Sequence, residues 1–278
     1  MIVDTPSGGE LCSGSLLGSG MHILTAAHCV TDAAGVINAF SSTITFASGM
    51  GDESIGISGY LIHPDWTGDF RAGADLAVLT LARQASARIN RYDVFSGANE
   101  VGLAIDLAGY GGTGTGATGF AGFDGVRRRG RNRLDATLAD VRGRLTGFTA
   151  GATVLLTDFD DGSAAHDALG FFGIEDRGLG LDEVIPGPGD SGSPGLTGNR
   201  IVGVSSFGTR HVNPNGSTAD IDLSLNWSFG ELSGFTRVSE YDEWINSHIT
   251  PIPESGTLPL LATGLCGILF SRYSRRKS

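Results

Sequence analysis

The sequence predicts an all-β fold, and two observations support this. Glycine is abundant, with 44 residues in a chain of 278, and it is interspersed with Val, Ile, Thr and Phe. Glycine favours tight turns, whereas β-branched and aromatic residues favour strands. Short apolar segments also recur every ~10–20 residues, as expected for the strands of a barrel or sandwich. The length allows one large domain or two small ones.

Two groups of strands and a closing helix are expected along the chain. The first group comprises residues 16–17, 22–27, 44–46, 55–62, 76–81 and 103–108. The Gly- and Thr-rich stretch 109–125 and the basic run 127–133 are predicted to be exposed loops. The second group comprises residues 152–157, 168–173, 201–207 and 234–238. A final helix is predicted because apolar residues recur at steps of three and four, at Val238, Tyr241, Trp244, Ile245 and Ile249.

Charge and cysteine content limit the possible partners and compartment. The formal net charge is −11, which excludes nucleic acid as an expected partner, because phosphate binding requires a basic surface. Cys12 and Cys29 lie close together in sequence, while Cys266 sits in a C-terminal apolar run. Counting alone leaves open whether one disulfide forms.

Three short segments carry candidate chemistry. His28 follows an apolar strand in Leu24-Thr25-Ala26-Ala27-His28-Cys29, and Asp75 opens the apolar segment Asp75-Leu76-Ala77-Val78-Leu79. Ser191 lies in Gly187-Pro188-Gly189-Asp190-Ser191-Gly192-Ser193-Pro194. A serine hydroxyl becomes nucleophilic only beside a base, and imidazole titrates near pH 6.5. A carboxylate can orient the imidazole and stabilise its charged form.

In this order, the three segments resemble the chymotrypsin/trypsin family of serine proteases, over residues 8–249. The resemblance implies two antiparallel six-stranded β-barrels with a C-terminal helix, the protease domain covering residues 1–250. The barrels are expected at about 8–108 and 130–236 and the helix at about 238–249. It also implies a catalytic triad of His28, Asp75 and Ser191, an oxyanion hole formed by the N–H groups of Gly189 and Ser191, and a Cys12–Cys29 disulfide. The implied function is a serine endopeptidase that cleaves polypeptides through an acyl-enzyme, without metal or organic cofactor.

Further residues resemble the substrate-binding elements of the family. Ser206, Phe207 and Gly208 resemble the edge segment that pairs with substrate backbone. Ile185 falls at the base of the specificity pocket and Ser233 at its wall. Because Ile185 carries no charge, the resemblance predicts small or apolar P1 side chains and not Arg or Lys.

The two ends of the chain differ from the family pattern. Family members begin with an Ile-Val-Gly-Gly segment whose free amine pairs with the residue matching Asp190, but Ile2 lies only ten residues before Cys12. We therefore expect the first strand and activation segment to be missing and the true start to lie upstream. The family's other disulfides are also missing, which is typical of bacterial members.

The C-terminal segment 251–278 is predicted to direct sorting. Residues 258–270 are apolar apart from Thr263 and are followed by four basic residues, too short a run for a comfortable bilayer span. With Ile252-Pro253-Glu254-Ser255, the segment resembles a bacterial PEP-CTERM signal, although Ser255 replaces the usual Pro. This implies export to the cell envelope or exterior of a Gram-negative-type bacterium, transient inner-membrane contact and processing by an exosortase. A plain tail anchor and a packed terminal helix are the alternatives.

Two other functions on the same fold stay open, and two motifs are discounted. The alternatives are a catalytically silent binding or adhesion module and an esterase with the same triad. Gly109-x-Gly111-x-x-Gly114 matches a dinucleotide fingerprint but lacks a following helix. Asp158-Phe159-Asp160-Asp161-Gly162 resembles the start of a calcium loop, but Leu169 stands where the bidentate carboxylate is needed. No metal is therefore predicted, and a looser calcium site at the three aspartates stays open.

Overall fold

The structure, a computed structural model, describes residues 1–47, 51–141, 144–145, 147–175 and 178–249. The sorting prediction for residues 251–278 lies outside these residues. Within them, no helix is long and apolar enough to span a lipid bilayer. The described chain forms two curved sheets, one from each half, and a short helix that closes the second half.

The first sheet is antiparallel, with the strand order β2-β1-β5-β6-β7-β4-β3. Buried and exposed residues alternate along β5, because successive side chains of a strand point to opposite faces and only one face of this sheet meets the core. The strands are β1 (Ile2–Thr5), β2 (Gly8–Leu11), β3 (Ser15–Leu16), β4 (His22–Thr25), β5 (Ser41–Phe46), β6 (Glu53–Ile62) and β7 (Ala77–Leu81).

The second sheet has the order β12-β9-β15-β16-β17-β14-β13 and is antiparallel, except that β8 pairs parallel to β16. A separate hairpin joins β10 to β11. These strands are β8 (Asp93–Val94), β9 (Ala104–Gly109), β10 (Thr113–Thr115), β11 (Gly119–Gly122), β12 (Arg128–Arg133), β13 (Ala136–Thr137), β14 (Val154–Phe159), β15 (Pro194–Thr197), β16 (Arg200–Arg210) and β17 (Glu231–Arg237).

Helical structure is short. The α-helix α1 spans Asp242–Ile249, where the sequence predicts a closing helix, and Ile245 packs in the same core cluster as the first sheet. The 3₁₀ turns span Ala27–Cys29, Phe70–Ala72, Leu169–Phe172, Gly180–Asp182 and Val238–Tyr241.

The core of the second sheet lies on both faces of β14. Val154 and Leu156 pack in one buried cluster, whereas Leu155 packs in another with Phe235 of β17. Successive side chains of a strand point to opposite faces, so a strand buried on both sides reads as a continuous apolar run. This explains why the sequence predicts a strand here without alternation.

The predicted fold class is confirmed: mostly β, two antiparallel half-barrels and one short C-terminal helix. Seven strands form the first sheet and eight the second within the described residues, where six each were predicted. Three of these strands, β3, β8 and β13, have only two residues each. The sequence predicts β3 at residues 16–17, whereas β8 and β13 are too short to leave a periodic pattern.

Several element predictions need correction. Ile2–Thr5, expected to lie outside the barrel, forms β1 between β2 and β5. Ala104–Gly109, placed in the first barrel, pairs with β12 and β15 of the second sheet. The basic run assigned to a loop forms β12, because its backbone pairs with β9 while its arginines point largely to solvent. Residues 168–173 form a 3₁₀ turn, not a strand, ending at Gly173 in the left-handed region.

Candidate active site

The imidazole of His28 is held by a buried carboxylate. Its Nδ1 lies 2.7 Å from Oδ2 of Asp75, and its backbone N–H donates to Oδ1 of the same carboxylate at 2.9 Å. The side chain of Asp75 is 1% exposed and that of His28 is 21% exposed. Two bonds to one residue fix both the position of the loop and the orientation of the ring, leaving Nε2 as the second ring nitrogen.

The loop carrying His28 is stabilised on several sides. A disulfide joins Cys29 to Cys12 across 17 residues, and on the chain-entropy account a loop of this size contributes about 3 kcal/mol. Phe70 packs edge-on against the imidazole, with ring centroids 5.0 Å apart. Trp66 donates from Nε1 to Thr31 Oγ1, which in turn donates to the carbonyl of Ala27. The predicted Cys12–Cys29 disulfide is therefore present.

Asp75 lies where the two sheets meet. It lies two residues before β7, and the second sheet contacts it twice. Ser206 Oγ of β16 donates to Asp75 Oδ2 at 2.6 Å, and Thr236 Oγ1 of β17 donates to the Asp75 carbonyl at 2.9 Å. Together with the two donors of His28, the Ser206 hydroxyl gives the Asp75 carboxylate three hydrogen-bond donors. The second sheet thus positions a residue of the first.

Ser191 lies in a turn between two glycines with positive φ, Gly189 at 88° and Gly192 at 82°. The requirement at Gly192 is also steric, because an added Cβ would lie 2.2 Å from Thr25 Oγ1 and 2.4 Å from the carbonyl of Ser13. The turn therefore packs directly on the end of β4, the strand that leads into His28. Only glycine combines this backbone conformation with this close approach.

The backbone of Ser191 is tied to the His28 side of the molecule. Ser13 N–H donates to the Ser191 carbonyl at 2.7 Å, and that carbonyl lies 3.6 Å from Sγ of Cys29. Gly192 N–H donates to the carbonyl of Ser205, next to the Ser206 that contacts Asp75. The Ser191 hydroxyl has no hydrogen bond to any described residue. In enzymes with a serine nucleophile, the hydrogen bond between the serine hydroxyl and its base often becomes short only when substrate is bound.

The turn also presents two free backbone donors. The N–H groups of Gly189 and Ser191 donate to no group within the described part of the chain. Both residues are half-buried. Two N–H groups flanking a serine hydroxyl are the arrangement that can bind a developing oxyanion.

The pKa of His28 is set by opposing effects. Burial lowers it, but the charge of Asp75 and its hydrogen bond outweigh burial, with a smaller contribution from Glu10, so the pKa lies above 6.5. The imidazolium is therefore stabilised relative to the free side chain. This is the electrostatic property required of a base that becomes charged during reaction.

Asp190, beside Ser191, makes a different set of bonds. Its Oδ1 accepts from Gly111 N–H at 2.9 Å and its Oδ2 accepts from Gly187 N–H at 3.1 Å, while burial raises its pKa. The amine of Met1 instead donates to the Cys12 carbonyl at 2.7 Å. The backbone of the Gly-rich segment 109–116 thus reaches the turn that carries Ser191.

The predicted substrate-binding residues fall in two places. Ser206, Phe207, Gly208 and Ser233 lie on adjacent strands, with Gly208 of β16 paired to Ser233 of β17. Ile185 instead lines a cavity of about 410 Å³ that none of these four lines, together with Asp190, Ser193, Trp227 and Phe229. The Ser206 hydroxyl points to Asp75, so its side chain is occupied by that carboxylate.

Sequence reasoning missed three residues around this site. Phe70, which packs on His28, carries no motif. Ser13 donates to the carbonyls of both Ser191 and Gly189, and Thr236 donates to the carbonyl of Asp75, each across more than 150 residues of sequence. The only available signal was their place in segments flanking the three motifs. Cys12, His28 and Cys29 also lie close enough to suggest a metal site, but the disulfide occupies both sulfurs.

The fold and these contacts define a two-barrel, chymotrypsin-like structure with a His–Asp pair beside a serine turn. Residues 2–121 match the Trypsin family model. Among solved structures, the chain is similar to mouse neuropsin, described as a serine protease expressed in the limbic system of mouse brain, with a TM-score of 0.62 and 14% identity. That match covers 86% of this chain and 89% of neuropsin. None of the curated proteins compared with the chain matches it.

Proposed function

We propose that the protein is a serine endopeptidase with His28, Asp75 and Ser191 as its catalytic triad. The observation that carries the proposal is the packing of the Ser191 turn on the strand that leads into His28, whose ring is bound to buried Asp75. The Trypsin family match over residues 2–121 and the serine protease described among similar structures support the same class.

In the proposed mechanism, each group has one task. Ser191 Oγ attacks the scissile carbonyl while Nε2 of His28 takes its proton, and Asp75 stabilises the resulting imidazolium. The N–H groups of Gly189 and Ser191 hold the negative oxygen of the tetrahedral intermediate. The imidazolium then gives its proton to the leaving amine, and water hydrolyses the acyl-enzyme by the same steps.

We further propose that the P1 side chain is apolar or small. Phe207 borders the backbone of β17 so closely that a Cβ on Gly234 would lie 2.2 Å from its ring. Ser206, Phe207, Gly208, Ser233 and Ile185 are all uncharged. A positively charged P1 side chain would therefore find no charged partner among the residues proposed to bind it. Export, exosortase processing and membrane contact through residues 251–278 stay predictions of the sequence.

A fluorophosphonate probe tests the proposal directly, because it reacts only with an activated serine. We expect the full chain to be labelled and the Ser191→Ala variant to lose all labelling. Ser193→Ala is the matched control, since Ser193 lies two residues away and is buried, at 2% exposure, and should keep its labelling. A peptide library supplied to the unlabelled wild-type protein reports the P1 residue.

Two results would contradict this proposal. A folded wild-type chain that takes up no probe would indicate a binding module without catalysis. Labelling with turnover of esters but of no peptide would indicate an esterase.

A further inference from the structure

Three carboxylates converge in the second sheet, away from His28. Asp158 lies in β14, Asp160 directly follows that strand, and Glu183 follows the Gly180–Asp182 turn. One oxygen of each lies within 4.8 Å of one oxygen of the other two, and all three residues are buried. The sequence left open a calcium site formed by Asp158, Asp160 and Asp161. In the structure, Asp161 instead pairs with His166 at 3.0 Å, and Glu183 is the third carboxylate of the cluster.

Asp158 supplies an independent sign that something binds here. The residue is 0% exposed, and its Oδ2 accepts one long bond, 3.4 Å, from Leu169 N–H. Its Oδ1 has no hydrogen-bond partner. A fully buried carboxylate oxygen without a donor is strongly unfavourable unless the charge is neutralised or coordinates a cation.

The other two carboxylates are already positioned by backbone donors. Glu183 accepts from Leu179 N–H at 2.8 Å through Oε1 and from Asp160 N–H at 3.1 Å through Oε2. Asp160 Oδ1 accepts from Gly162 N–H at 2.6 Å. These bonds hold the Asp160 and Glu183 carboxylates in place beside Asp158.

The spacing of the three side chains suits a shared ligand. Because one oxygen of each carboxylate lies within 4.8 Å of one oxygen of the other two, a divalent cation placed among them would interact with all three at short range.

We propose that Asp158, Asp160 and Glu183 form a site for a divalent cation of the calcium type. Calcium takes six to eight oxygen ligands and accepts carboxylates in flexible geometry, whereas magnesium retains several waters and suits such an enclosed set less well. Glu183 and the neighbouring Phe159 also line the cavity of about 410 Å³, which gives the ion and its remaining water ligands a route to the site.

The site would link two segments that are distant in sequence. Asp158 and Asp160 mark the end of β14, and Glu183 precedes the segment 184–190 that leads into the Ser191 turn. A bound ion would therefore fasten the base of that turn to the second sheet. Ion binding at these carboxylates would affect the stability of the fold and does not depend on the proposed peptidase activity.

The test uses the full chain, stripped of metal with a chelator and titrated with calcium chloride. We expect calorimetry to show one ion bound per chain, and saturating Ca²⁺ to raise the unfolding midpoint by about 5 °C. Asp158→Asn and Glu183→Gln should each weaken binding at least tenfold and remove the thermal shift. Asp182→Asn is the matched control, because it removes the same charge from an exposed residue next to Glu183 and should behave as wild type.

Three results would overturn the proposal. The first is a folded wild-type chain that shows neither binding heat nor a thermal shift with Ca²⁺. The second is equal loss of the response in Asp182→Asn, which would indicate general surface charge. The third is binding of Mg²⁺ as tight as that of Ca²⁺. If Asp158→Asn does not fold, Glu183→Gln and the wild-type titration still decide the matter.

Discussion

At the scale of single residues, the surroundings of His28 determine at what pH the proposed base can work. Asp75 is bound by the His28 ring, the His28 backbone and the Ser206 hydroxyl, so its negative charge is held in one place. That charge favours the imidazolium more than burial disfavours it, which raises the pKa of His28. Only the neutral ring can accept a proton from Ser191. Activity should therefore be present above the pKa of His28 and be lost as pH falls through it.

The pH dependence of kcat/KM tests this assignment. In the wild type we expect an acid limb with its midpoint above 6.5, because the raised pKa belongs to the free enzyme. Asp75→Asn should move the midpoint down, since burial then acts without the opposing charge. It should also reduce kcat by about 10⁴-fold, the loss found for this change in a Ser-His-Asp triad.

Glu10→Gln provides the graded comparison for this experiment. Glu10 adds only the smallest of the effects on the pKa of His28, through charge and without a hydrogen bond to the ring. We expect a slightly lower midpoint and an almost unchanged plateau rate. An acid limb that stays in place in Asp75→Asn would refute the assignment of His28 as the titrating base.

At the scale of elements, the Ser191 turn and the end of β4 form one packed unit. Gly192 tolerates no side chain, because its Cβ would collide with Thr25 Oγ1 and the Ser13 carbonyl. Gly192→Ala should therefore push the turn away from His28. A displacement of about 1 Å can cost 10²-fold in rate, so we expect at least that loss of kcat/KM. Activity assays and thermal unfolding of the purified variant measure the two effects.

Gly198→Ala is the control for this substitution. Gly198 also has a positive φ, 58°, but nothing lies within 4 Å of the Cβ that alanine would add. It should cost about 1 kcal/mol through backbone strain alone and leave activity intact. Equal losses in both variants would show that backbone strain, and not contact with β4, governs the turn.

Some of the observed elements could be predicted from the sequence and others could not. The strands that carry the site residues were predicted near their observed places, because β4, β7 and β14 are short apolar runs bounded by polar residues. The 3₁₀ turn Leu169–Phe172 was predicted as a strand, since a brief apolar run is compatible with either structure. The strand β12 was predicted as a loop because its sequence is mostly arginine. Its backbone nevertheless pairs along its full length with β9.

At the scale of the whole molecule, the proposed site depends on contacts between segments that are far apart in sequence. His28, Asp75 and Ser191 could be identified as candidates because each lies in a short sequence motif. The donors that reach Asp75 from Ser206 and Thr236, 131 and 161 residues away, leave no local signal. Glu183 was missed for the same reason, because only the folded chain brings it to Asp158.

A buried ion pair stabilises the junction that carries these long-range contacts. Arg237, at the end of β17, binds Glu100 through two hydrogen bonds, from Nε at 3.0 Å and from Nη2 at 2.7 Å. The side chain of Glu100 is 0% exposed and that of Arg237 is 11% exposed. Arg237 follows directly on Thr236, which donates to Asp75, so this pair anchors the strand that supports the candidate site from the second sheet.

Glu100→Gln should therefore destabilise the whole fold. Removing one partner of a buried ion pair typically costs about 3–5 kcal/mol. Among the described residues, Arg237 would keep one carboxylate partner, the exposed Glu240 at 3.1 Å, so we expect a loss near the lower end of that range. Urea unfolding should give this loss for Glu100→Gln and almost none for Glu243→Gln, an exposed helix residue with the same change of charge. The double variant Glu100→Gln/Arg237→Gln should lose less than the sum of the two single variants, because it removes both charges together. A strictly additive result would mean that the pair contributes nothing as a pair, and that the junction is held by packing around Phe235 and Val238 instead.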